Sequence, residues 1–229
     1  MDFKKSAKSP MEIVSVPPII SIYRQALHTF DDRHKNDFET NLNKLKSMMD
    51  LLKAEDVGLD EILMSPATWK SKSKAPCTYI KLFQNEIINM SAVNIKSYSE
   101  HPLKNELSGA VATELAQAEA LRLSKGIHST RKLFAEISHD RICRANSETC
   151  TLTPTVSNYH EIQALDLPSA FFDILSPPYD TFIEDIGPRR CHYYRVSNKI
   201  STNLVELEET DVPECFYCDQ APYLGPSFG

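Results

Sequence analysis

The chain has 229 residues, 41% of them apolar and 24% charged, enough to bury one sizeable core. Its net charge of −6 and its lack of any Lys/Arg cluster interleaved with aromatics argue against nucleic acid as a partner. The longest apolar runs, such as "VSVPPII" and "AFFDIL", fall far short of the ~20 residues a membrane-spanning helix needs. The basic opening "MDFKKSAKSP" leads into a segment broken by Pro17 and Pro18, not into the continuous apolar stretch of a signal peptide. Six cysteines in a chain of this length make no disulfide framework and fit a reducing compartment, so a cytoplasmic monomer without a membrane partner is expected.

In chain order, a helix is predicted over 19–30, where apolar residues recur at 19, 22, 23, 26, 27 and 30. A second is predicted over 38–54 from the stripe Phe38, Leu42, Leu45, Met49 and Leu52, with Gly58 as its stop. The charged linker "TWKSKSKAPC" then divides a helical segment, 1–75, from a second domain, 76–229. That domain opens with the strands "CTYIKLF" and "EIINMS". An inserted helix follows at about 105–125, with Leu107, Val111, Leu115, Ala118 and Leu121 on one stripe. From Lys132 the pattern changes to short strands: "KLFAEIS", "CTLTP", "YHEIQAL", "SAFFDIL", "CHYYRV" and "LVELEE", with "SPPYD" and "DIGPRR" as turns.

Two polar residues interrupt apolar strand faces. His160 shares a face with Ile162 and Ala164, and Asp173 stands between Phe171 and Leu175. A carboxylate placed there must be hydrogen-bonded or close to a cation. A lone histidine on such a face is ordinarily a satisfied core residue, and a lone inward acid a structural one. Cys215 and Cys218 form an isolated C-x-x-C; a zinc knuckle would need a second Cys/His pair, which the tail does not supply.

The blocks "TLTPTVSNYHEIQALDLPSAFFDILSPPYD" and "RRCHYYRV", with the early "NLNKLKSMMDLLKAEDVGL" and the closing "APYLGPSFG", resemble the cysteamine (2-aminoethanethiol) dioxygenase and plant cysteine oxidase family, its animal branch in particular. The resemblance implies a mainly β, cupin-like (double-stranded β-helix) barrel. Such a barrel holds non-haem Fe(II) on three histidines and adds both atoms of O2 to cysteamine or to an N-terminal-Cys peptide, giving a sulfinic acid. It makes His160 the third iron ligand, Asp173 an active-site carboxylate and Tyr179 a nearby hydroxyl. Cys191 and Tyr193, at i and i+2, take the positions where some members form a thioether; otherwise they are a buried Cys beside a core Tyr. Neutral imidazoles leave the metal charge uncompensated, which favours a bound thiol as thiolate and leaves positions open for sulfur and O2.

The pattern departs from the family at the first two ligands, which the family supplies as H-D-H-P. No H-x-H occurs in this chain. Ser91 and Asn94 are separated only by Ala92 and Val93, where about 30 residues, three to four strands' worth, are missing from the family pattern. "SEHP", Ser99 to Pro102, has serine at the first ligand position; His101 reads as a turn residue, and His128 and His139 are too far apart to share a strand face. His192 alternates to the face opposite Cys191 and Tyr193. The barrel is therefore expected to be incomplete and Fe(II) weakly held or absent. The chain reads as a shortened product of a dioxygenase gene, through exon skipping or an error in the gene model, and its alternative function is that of a non-catalytic binding or regulatory protein.

Overall fold

The structure is a computed structural model that describes residues 16–59, 75, 77–95, 110–112, 132–137, 141–153, 159–162, 164–165, 169–184, 187–212 and 217–229. Helix α1 (Pro18–Phe30) begins with proline in its first turn, where the missing N–H costs nothing, and buries Ile19, Ile22 and Ala26. Helix α2 (Phe38–Met49) packs against it through Leu45. The helix expected to reach residue 54 stops at Met49. Asp56 caps the backbone N–H of Lys53 (3.0 Å) and starts a separate short turn, Ala54–Val57, which ends at left-handed Gly58 (φ 69°). A side chain at Gly58 would strike the backbone nitrogen of Gly225, 2.7 Å from the Cβ position, so this glycine admits the C-terminal tail.

Two larger sheets carry most of the remaining described chain. The first has the strand order β11 (Cys218–Gln220), β1 (Cys77–Gln84), β2 (Asn89–Ile95), β6 (Ser169–Leu175). β2 runs unbroken through the junction at Met90–Asn94 and is paired antiparallel on both edges, Ile80 facing Ala92 on one side and Phe172 facing Ala92 on the other. Both edges of the strand are thus paired at the junction itself. Alternation sends Ile80, Leu82, Met90, Ala92, Phe172 and Ile174 to the face that packs on α1 and α2, forming the main core. Tyr23, Phe83 and Phe228 close it with ring centroids 4.6–5.7 Å apart.

The second sheet runs β4 (Lys132–Glu136), β10 (Leu204–Thr210), β9 (His192–Lys199), β3 (Ala110–Ala112), β5 (Tyr159–His160). Its own small core is Tyr194, Val205 and Leu207, with Leu133, Ala135 and Tyr159 against them. A hairpin, β7 (Phe182–Ile183) with β8 (Gly187–Pro188), stands apart. The fold is mainly β, an incomplete cupin-like barrel whose sheets stay open.

Three expectations need correction. Most of the helix at about 105–125 lies outside the described residues, but Ala110–Ala112 is a strand, held by backbone pairing to β9 and β5, which overrides the helical propensity of the local sequence. "CTLTP" forms no strand over 150–153, because Thr149 ties the segment to Asp50 at the end of α2. The cysteines are not all thiols: Cys77 and Cys218, paired in register on β1 and β11, are joined by a disulfide. Cys215 lies outside the described residues, so the C-x-x-C motif is represented by Cys218 alone.

Met90 is fully buried where β2 meets the helices. Met90→Ala is expected to lower the free energy of unfolding by about 2–5 kcal/mol, and Leu51→Ala, at a 79% exposed position, by less than about 0.5 kcal/mol. Urea titrations of the two variants check this.

Candidate functional site

On the face of the first sheet turned away from the helices, Ser91 of β2 and Asp173 of β6 are direct cross-strand partners, and the Ser91 hydroxyl donates to the Asp173 carboxylate. Ser91 is itself almost fully buried. Burial is the largest influence on Asp173 and raises its pKa from 3.8 to about 6, against the lowering effect of the Ser91 hydroxyl and of backbone donors. The inward acid required by the strand pattern thus has its hydrogen bond. Ser91, one of the residues flanking the junction, supplies it.

His160 stands on β5 at the edge of the second sheet. Residue 111 of β3 is in register with both His160 and Tyr193, so the two occupy one cross-strand row about 10 Å apart, two strand spacings. They share the face opposite the Tyr194 cluster, where Tyr159 and Tyr194 meet edge to face at 5.2 Å. Burial lowers the His160 pKa, which keeps the imidazole neutral, and its Nδ1 is buried without a hydrogen-bond partner. Such an atom is chemically a candidate metal donor.

The loop between β6 and β9 builds the rest. Tyr179 sits in the turn after Pro178, and Asp180 follows at φ 63°, a left-handed conformation that aspartate tolerates. The Cys191 thiol lies within hydrogen-bonding reach of both the Tyr179 and Tyr193 hydroxyls. Burial first, and Cys191 second, push Tyr193 up to about 12 and Tyr179 well above its ordinary value, while Arg189 opposes the shift at Tyr179. Both phenols therefore stay protonated near neutral pH and can donate to sulfur.

Arg189, in the segment read only as a turn, is 2% exposed. Its guanidinium lies 5.1 Å over the Tyr179 ring and donates to the Pro177 carbonyl, and its backbone bonds to Asp180 (2.6 Å) and Thr181 (2.9 Å). It fixes Tyr179 from behind. The only signal for it in the sequence is the Arg-Arg pair immediately before Cys191.

The structure therefore brings Tyr179, Cys191 and Tyr193 together and sets His160 in the Tyr193 row. Asp173 is placed on the other sheet. Among the described residues no hydrogen bond or ion pair joins Asp173 to His160.

The PCO_ADO family model matches residues 48–228. The chain belongs to the PCO_ADO family. It is 28% identical to 2-aminoethanethiol dioxygenase of Mus musculus over 223 residues, covering 82% of this chain and 85% of the mouse protein. It is 27% identical to the Homo sapiens enzyme of that name over 227 residues, covering 82% of each. Since 82% of 229 residues is about 188, the 223-position mouse alignment leaves about 35 positions opposite gaps in this chain. PCO_ADO proteins are thiol dioxygenases, an oxidoreductase family.

The described residues do not by themselves supply a donor set for Fe(II), which the PCO_ADO family implies. Among the described residues no group of three or more His, Cys, Asp or Glu side chains could hold a metal ion. The His28 and His34 rings meet tilted at 47° with centroids 3.9 Å apart, and His192 pairs with Glu209 at 2.6 Å. His101, His128 and His139 lie outside the described residues.

Asp173 generates a pH prediction. Its raised pKa means that the native chain binds more protons than the unfolded chain between pH 3.8 and about 6. Its contribution to stability accordingly falls as pH rises through that window, by about 3 kcal/mol in all. Asp173→Asn retains an acceptor for Ser91 and removes the ionisation. Melting curves should show wild type losing ground to the variant between about pH 4 and 6.5; parallel pH profiles for the two proteins would refute the assignment.

Proposed function

We propose that this chain keeps the thiol-facing wall of a dioxygenase acting on cysteamine or an N-terminal-Cys peptide, but lacks the ligand set for turnover, and so serves as a non-catalytic binding or regulatory form. The observation that carries this reading is the isolation of His160: its row continues into Tyr193, with no second imidazole on that face among the described residues. The roughly 35 gap positions support it, being close in number to the ~30 residues expected to be missing between Ser91 and Asn94. One imidazole is a weak site for Fe(II), which stands low in the divalent affinity order.

What remains suits a thiol. Tyr179 and Tyr193 present neutral hydroxyls to the sulfur of Cys191, and the same donors would orient the sulfur of an incoming thiol, with Arg189 holding Tyr179 in place. Asp173, near half-ionised at about pH 6, would meet a substrate amine. This reading puts the chain in the cytoplasm as a monomer, with O2 and a small thiol or N-terminal-Cys peptide as its chemical partners. No helix among the described residues is long and apolar enough to cross a membrane.

A catalytic reading, in which Fe(II) is bound and the thiol becomes a sulfinic acid, is favoured by one observation, the buried and unpartnered Nδ1 of neutral His160. Anaerobic reconstitution with ferrous iron separates the two. The proposal expects iron well below one equivalent and no thiol-dependent O2 uptake above background with cysteamine or an N-terminal-Cys peptide, in a protein that melts cooperatively. Stoichiometric iron with sulfinate product, both abolished by His160→Ala, would establish the catalytic reading instead.

A further inference from the structure

The segment 141–153 carries two exposed thiols, Cys143 and Cys150, whose sulfurs are 3.9 Å apart. Three bonds hold its two arms side by side. The Arg144 N–H donates to the Ser147 hydroxyl (2.8 Å), the Ser147 N–H to the Arg144 carbonyl (2.9 Å), and the Arg141 guanidinium to the Glu148 carbonyl (3.1 Å). The far arm is anchored next to Cys150, where Thr149 donates its N–H and its hydroxyl to the Asp50 carboxylate, each at 2.6 Å. A disulfide needs sulfurs about 2.05 Å apart, so closure asks for about 2 Å of movement, within the reach of side-chain rotation at exposed cysteines.

We propose that Cys143 and Cys150 form a thiol–disulfide exchange site that takes a small-molecule disulfide as oxidant and closes into a loop-locking bond. In the first step a thiolate of the pair attacks one sulfur of the disulfide, forming a mixed disulfide and expelling one small thiolate, which takes up a proton from water. In the second, the other protein thiolate attacks the protein sulfur of the mixed disulfide and expels the second small thiol. The dithiol loses two electrons and two protons, and one disulfide is reduced to two thiols. Partial covering and the hydrogen bond with Cys143 push the Cys150 thiol above its ordinary pKa, while Arg141 and Lys46 pull it down. Closure pins the segment against the C-terminal end of α2 through Thr149. The site is independent of iron and of the residues around His160.

The full-length protein is incubated anaerobically with glutathione disulfide in excess over glutathione, alkylated, and digested with trypsin without reduction. Cleavage after Arg144 separates the two cysteines, so closure is read as peptide 142–144 linked to peptide 145–189. The linked pair is expected to replace alkylated Cys143 and Cys150 together, and excess glutathione to restore both. In Cys143→Ser and Cys150→Ser the remaining thiol is expected to accumulate as a glutathione mixed disulfide, a species that wild type passes through without accumulating. Wild type in which both thiols stay alkylated, in which each carries glutathione separately, or in which Cys150 is linked instead to Cys191 would overturn the proposal.

Discussion

The structure depends on β2 being paired along both of its edges. A single strand, Asn89–Ile95, is hydrogen-bonded to β1 on one side and β6 on the other, and its alternation divides the molecule's chemistry. Met90 and Ala92 point to the helices and complete the apolar core, while Ser91 points the other way and meets Asp173. A slip of one residue would exchange these faces, placing a serine in the core and a methionine against a carboxylate. The register that stabilises the sheet is therefore also the register that satisfies the buried acid.

The helices and the C-terminal tail follow from that arrangement. With β1, β2 and β6 presenting one continuous apolar face, α1 and α2 have a surface to cover, and the tail wraps round to add Tyr223 and Phe228. Gly58 allows the tail's backbone to approach. The Cys77–Cys218 bond fastens the same tail to the outer side of β1. Such a bond is unusual in a strongly reducing compartment.

The candidate site is assembled from groups that their burial holds neutral or close to it. His160 is kept uncharged, Tyr179 and Tyr193 protonated, and Asp173 near the midpoint of its ionisation around pH 6. Burial penalises the charged form of each, and Arg189, tied to the Pro177 carbonyl and set over the Tyr179 ring, brings a permanent charge close to Tyr179. An environment of this kind can hold a thiol through hydrogen bonds to sulfur. Asp173 belongs to the first sheet, and His160 and Tyr193 to the second.

Much of this was legible in the residues. The apolar recurrence in "PIISIYRQALHTF" and the alternation in "SAFFDIL" predict α1 and β6 closely, because an amphipathic stripe and a two-residue period are local properties of the chain. The absence of H-x-H is likewise a fact of the sequence, and so are the inward placement of Asp173 and the i, i+2 spacing of Cys191 and Tyr193. Tertiary structure decided what depends on pairing between distant segments. It made Ala110–Ala112 a strand because backbone bonds to β9 and β5 outweigh alanine's helical preference. It made Ser91 the partner of Asp173 across 82 residues of chain, buried Arg189 rather than Arg190, and joined Cys218 to Cys77. A side chain's spacing along the chain sets which way it can point; which group it meets there is set by sheet register, a property of two strands at once.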